Sequence, residues 1–227
     1  MNETAGKVFS LASQYAPEKG CTISGELFAS DQGRADIFSL APHTDISAES
    51  WPSSKLVLVL DGKLEIVQPQ KELKSVLENG QAMIIAAHSL TGYNTESGAV
   101  YLELTLNEGK FNSALPVDQP FSLADQVPLR KGRIVNMDAV SNPGMKFLLM
   151  SFDENTGLSE HAAPGDALIF ALKGSGLIGY EGREHSLKAG ENFKFAAGGK
   201  HKVSADGPFT MALLMELPSH STASQNR

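Results

Sequence analysis

Cysteine is nearly missing from these 227 residues, and the single Cys21 has no second thiol with which to close a disulfide or share a metal. Cys21 is therefore expected in the core. A basic surplus is missing too. Lys and Arg number 19 against 26 Asp and Glu, for a net charge of −7, and the cations are scattered along the chain. That balance gives no electrostatic reason to approach a phosphate backbone, so nucleic acid is not an expected partner. No stretch approaches eighteen consecutive apolar residues, and the opening MNETAGKVFSLASQYAPEKG lacks a basic segment followed by an apolar one. A membrane is not an expected partner, and the expected compartment is the cytoplasm. What is present is enough apolar material for a packed core, 41% of the residues, in short runs separated by Gly and Pro.

The chain repeats itself. FSLASQYAPEKG from Phe9 recurs as FSLADQVPLRKG from Phe121, an offset of 112 residues. The same offset lays ISAESWPSSKLVLVLDG from Ile46 on LSEHAAPGDALIFALKG from Leu158, allowing one extra residue beside the prolines Pro52 and Pro164. LENGQAMIIAAHSLT from Leu77 then matches LKAGENFKFAAGGKH from Leu187 at an offset of 110, placing Thr91 on His201. The loop-like NEGKFNSALPVDQP separates the copies. Residues 1–112 and 113–217 are expected to form two domains, followed by a disordered polar tail over 218–227 that contains His220.

Each copy reads as β. LVLVL, KLEIV, MII and VYLELTL in the first, and ALIFAL, FKF and MALLMEL in the second, are apolar or alternating and bounded by turn residues. Only the FSLA segments suggest brief helical turns. The expected fold class is all-β, two tandem antiparallel jelly-roll barrels with little helix.

In the second copy, Gly190-ENFKF-Ala196-Ala-Gly198-Gly-Lys-His201 keeps the spacing Gly, five residues, Pro-x-Gly, two residues, His, with Ala196 in the proline slot. It resembles the second motif of the cupin superfamily. The first motif of that family is kept in part: His161 holds the second histidine slot, thirteen residues before Gly174, while Ser159 and Ala167 stand where a histidine and a glutamate belong. The resemblance implies a two-barrel cupin, a bicupin, and His161 and His201 as ligands of a divalent metal (Zn, Fe, Mn or Ni) in the second barrel. Two imidazoles alone make a poor site, because a catalytic zinc takes three protein ligands and non-haem iron a two-His-one-carboxylate set. Asp166 is the candidate third ligand if a bulge near Pro164-Gly165 turns it inward; otherwise it caps that turn. Glu160 reads as an outward strand charge and His185 as an exposed loop residue.

In the first copy the matching slots hold Ser47, Glu49, Lys55 and Thr91, so no metal is expected there. Glu49 and Lys55 are expected to pair, and Trp51 to pack against the other barrel. Two function classes stay open. One is an enzyme using a metal at His161, His201 and Asp166 on a small oxygenated molecule. The other is a non-catalytic module holding a small ligand among residues such as Phe170, Phe195 and Met215. A homodimer is expected, because any barrel edge left open can pair with a second copy.

Overall fold

The structure is a computed structural model that describes Met1 and residues 3–217. The expected polar tail, 218–227 with His220, lies outside the described residues. The first copy comprises β1 (Val8–Phe9), α1 (Leu11–Gln14), β2 (Thr22–Ser30), β3 (Gly33–Leu40), β4 (Thr44–Ser50), β5 (Ser54–Gln68), β6 (Leu73–Glu78), β7 (Gln81–Ile85), β8 (Leu90–Thr95) and β9 (Ala99–Leu106). The second comprises β10 (Phe121–Ser122), β11 (Ile134–Ser141), β12 (Met145–Phe152), β13 (Thr156–Ala162), β14 (Ala167–Tyr180), β15 (Arg183–Lys188), β16 (Asn192–Phe195), β17 (Lys200–Ala205) and β18 (Phe209–Glu216). The fold is all-β, with every strand pairing antiparallel to its neighbours in two jelly-roll barrels. Among the described residues no helix is long and apolar enough to cross a membrane.

The two sheets run β10-β7-β5-β9-β3-β2 and β1-β16-β14-β18-β12-β11, the same order twice except that β1 and β10 have changed places. Val8 pairs with Phe193 of the second barrel, and Phe121 pairs with Ala82 of the first. The exchange is hydrogen-bonded beyond the strands. The buried Asn192 accepts the Leu11 N–H through Oδ1 (2.9 Å) and donates through Nδ2 to the Ile169 carbonyl (3.1 Å). Leu123 N–H returns to the Gly80 carbonyl (3.2 Å) in the first barrel.

Register matches down to the irregularities. Shifts at Glu26/Phe28, Ile46/Glu49 and Val59/Asp61 recur at Asp138/Val140, Leu158/His161 and Ala171/Lys173. The offset of 112 therefore runs unbroken to Gly62 and Gly174, and the extra residue expected beside the prolines is not needed. The copies differ instead at one hairpin tip: Gln68 pairs with Leu73 across a 3-10 turn at Pro69–Lys71, while Tyr180 pairs directly with Arg183. Gly62 and Gly174, both with positive φ (78° and 74°), let β5 and β14 bend against Gly98 and Pro208, whose carbonyls occupy the space a Cβ would need.

Alternation explains the layers. On β9 all eight residues are buried, because Val100, Leu102, Leu104 and Leu106 face the other barrel while Ala99, Tyr101, Glu103 and Thr105 face into their own. The inter-barrel layer joins them to Leu56, Leu58, Phe147, Leu149, Leu168, Phe170 and Leu214, all at most 2% exposed. Phe170 thus belongs between the barrels and lines no chamber of the second, contrary to expectation. Cys21 is also corrected: it is exposed, before β2, with Sγ 3.7 Å from the Lys19 carbonyl.

Candidate functional site

Two places in the fold concentrate chemistry, at equivalent positions of the two barrels. In the second, β13 and β17 pair so that His161 lies directly opposite His201, with ring centroids 4.2 Å apart. The bulge sits between Leu158 and His161, ahead of the prolines, and leaves Ser159, Glu160 and His161 all exposed. His201 is 6% exposed and stacks on Phe195 at 3.9 Å. Each ring is tied to the carbonyl two residues back: His161 Nδ1 to Ser159 (2.8 Å) and His201 Nδ1 to Gly199 (3.1 Å). A carbonyl can only accept, so each Nδ1 carries the hydrogen and each neutral ring keeps its Nε2 lone pair. Burial lowers the His201 pKa, and the bond to the Gly199 carbonyl opposes that while the nearby His161 adds to it.

Asp166 is not with them. Its carboxylate accepts the Ala197 N–H (2.9 Å) and pairs with Lys194 Nζ (2.9 Å), a buried cation that also donates to the Met1 carbonyl (2.6 Å). Burial raises the Asp166 pKa, but the Lys194 and Ala197 hydrogen bonds and the Lys194 charge outweigh it and leave it lowered. Among the described residues no three His, Cys, Asp or Glu side chains come together. Two imidazoles supply half of a tetrahedral sphere, so the set does not fit a resident catalytic metal. The barrel interior behind them is apolar: Phe152, Phe193, Phe195, Phe209 and Met211 are at most 1% exposed. His185, read as an exposed loop residue, is half-buried on β15 against Phe193 (5.0 Å).

The first barrel differs. Glu49 opposes Thr91, taking the places of His161 and His201. Around them opens a cavity of about 540 Å³, within the size range of small-molecule sites. Glu103, 5% exposed, is its hub: Lys55 Nζ donates to Oε1 (2.7 Å), Tyr93 Oη to Oε2 (2.9 Å) and Thr105 Oγ1 to Oε1 (3.5 Å). Lys55 therefore pairs with Glu103, not with Glu49, because Glu103 stands beside it on the adjoining β9. The Lys55 ammonium also lies 4.9 Å over the ring of Trp51, which is half exposed at the cavity rim and not against the other barrel. Arg34 and Asp36 form a second pair through Nε and Nη2. Tyr101, stacked on Phe38 (5.2 Å), lines the cavity with a buried hydroxyl that has no hydrogen-bond partner. Burial first, and the Glu103 charge second, push both Tyr93 and Tyr101 well above the usual phenol range, so both stay protonated.

Sequence reasoning missed Glu103 and Tyr101 because VYLELTL was taken as an apolar strand, and Tyr93 because it lies on β8, outside the apolar runs. The signal was present as a polar stripe, Tyr101, Glu103 and Thr105, alternating with Val100, Leu102 and Leu104. At the equivalent positions the second barrel holds Ala167 for Lys55, Leu213 for Glu103, Val203 for Tyr93 and Met211 for Tyr101, as the matched registers require.

Residues 148–215 match the family described as Cupin domain. No curated protein matches the chain. A cupin 2 conserved barrel domain protein from Leptotrichia buccalis superposes with a TM-score of 0.82 at 24% identity, covering 95% of this chain and 98% of its own. Salicylate 1,2-dioxygenase from Pseudoaminobacter salicylatoxidans superposes at 0.63 with 11% identity, over 92% of this chain and 80% of its own. AerE from Microcystis aeruginosa gives 0.55 at 16%, over 88% and 96%. At these identities the likeness is one of fold.

Proposed function

Proceeding from a chain whose second barrel matches the cupin domain family over residues 148–215 and whose first barrel repeats the same fold, we propose that this protein binds a small molecule and that its ligand chamber is the first barrel. The observation that carries this is the cavity of about 540 Å³ built around the buried Glu103–Lys55 pair and the partnerless Tyr101 hydroxyl. Buried polar groups are costly unless something uses them, and the second barrel folds with apolar residues at the same positions. The test is a thermal-shift screen of small oxygenated molecules on wild type, Ser47→Phe and His161→Ala. Ser47 is an exposed rim position, so Phe there narrows the mouth without disturbing the core. Ligands should stabilise wild type and His161→Ala but not Ser47→Phe. Hits lost in His161→Ala and kept in Ser47→Phe would move the chamber to the second barrel.

A second reading is favoured by one observation, the pair of Nδ1-tied imidazoles at His161 and His201. They suit a loosely held Zn, Fe, Mn or Ni ion whose remaining donors come from water or a bound molecule. Titration of the metal-free protein with each ion should show weak uptake that His161→Ala abolishes, and no uptake at all would end this reading.

A further inference from the structure

The enclosed charges of the first barrel are already paired, with only the exposed carboxylate of Glu49 at the rim left over, and the groups that remain describe the ligand. Lys55 and Glu103, with side chains 12% and 6% exposed, neutralise each other, and Arg34 and Asp36 do the same. Glu103 accepts from three donors, which leaves it little capacity. An incoming carboxylate would find no free cation and would lie close to the enclosed carboxylate of Glu103; an ammonium would meet that of Lys55, and the exposed Glu49 at the rim offers it only a solvent-screened pair. The unused enclosed groups are donors: the remaining Lys55 N–H bonds, and the Tyr101 O–H, which is without an acceptor. Apolar walls surround them, from Phe38, Ile46, Ile85 and Trp51.

Resting on the assignment of the chamber to this barrel, we infer that its ligand is a small uncharged molecule with an apolar body and a carbonyl-type oxygen, and that the site discriminates against carboxylates and amines. A carbonyl oxygen brings two lone pairs and no charge, which is what surplus donors beside a self-neutralised ion pair accommodate. The walls take the apolar body. None of this serves the barrel itself, because Ala167, Leu213 and Met211 fill the corresponding places of the second copy.

The sole tryptophan sits on the cavity rim, so intrinsic fluorescence reports occupancy directly. The probes are cyclohexanone, cyclohexanecarboxylate and cyclohexylammonium, which share a ring and differ in charge, titrated into the full-length protein with calorimetry as the second readout. Cyclohexanone should saturate, in the millimolar range expected of so few atoms, with each ion at least about tenfold weaker. Tyr101→Phe removes only a hydroxyl that has no partner, so the variant should fold and should bind cyclohexanone about three- to tenfold more weakly, the range of one lost hydrogen bond. Equal or tighter binding of either ion overturns the inference and leaves the chamber standing. So does unchanged cyclohexanone affinity in Tyr101→Phe, or no saturation by any probe. The chamber itself fails separately, if the Ser47→Phe variant keeps every hit of the thermal-shift screen.

Discussion

Replacing Lys55 by Met tests whether Glu103 is an enclosed charge held by its neighbour. The ammonium lies 2.7 Å from a carboxylate whose side chain is 6% exposed, so its removal strands a poorly hydrated charge on the cavity wall. Breaking a buried pair in this way costs about 3–5 kcal/mol. Glu103 keeps the Tyr93 and Thr105 hydroxyls, which places the expected loss near the lower end, about 3 kcal/mol. Loss of the Lys55 contact with the half-exposed Trp51 ring adds about 0.5–1 kcal/mol at most. The total is about 3–4 kcal/mol, and in a chain of this length each kcal/mol lowers Tm by about 2–4 °C, so Lys55→Met should melt about 6–16 °C below wild type. Adding Glu103→Gln removes the stranded charge while keeping an acceptor for Tyr93, and the double variant should recover to within about 1 kcal/mol of wild type. Calorimetry and urea unfolding followed by circular dichroism give the three numbers of the cycle, and high salt should leave the differences largely intact. A single variant as stable as wild type, or a double variant no better than the single, would refute the buried-pair reasoning.

Protonating His201 opposes the fold, because its folded pKa lies below the unfolded value near 6.5. Its contribution is whole above that value and is lost as pH falls through the folded pKa, so urea midpoints should drop between about pH 7.5 and 5 by less in His201→Gln than in wild type. Asp166→Ala should cost about 2 kcal/mol by leaving the buried Lys194 without its carboxylate, yet leave any metal uptake unchanged; reduced uptake would make Asp166 a ligand. Gly174→Ala should cost at least about 2 kcal/mol, because its positive φ disfavours a side chain and the Pro208 carbonyl fills the Cβ position; a neutral effect by urea titration would contradict the described bend.

The fold was readable wherever it depends on local pattern. The FSLA repeat, the constant offset and the alternating runs gave two β-barrels, and the spacing to Gly174 and Gly190 put His161 opposite His201. Pairing between distant segments was not readable. Nothing in VF or FS names Phe193 or Ala82 as a partner, and a backbone ladder carries no sequence of its own. Trp51 was misplaced for a similar reason, since the cation that attracts it is anchored from β9, far along the chain. Asp166 had two readings because a turn residue can face either way; the deciding cation, Lys194, sits on a different strand. Glu103 was hidden by its own apolar neighbours.

The exchange of β1 and β10 has a consequence for how the chain is made. On a ribosome, the first sheet lacks its edge until Phe121 and Ser122 emerge, by which time the linker and the opening of the second copy have already been synthesised. The amino-terminal arm waits longer still, because its partner strand, Asn192–Phe195, is near the other end. Neither half can therefore be finished and set aside while the other is built, and the protein should reach its native state in one late step, with both barrels closing over their shared layer together.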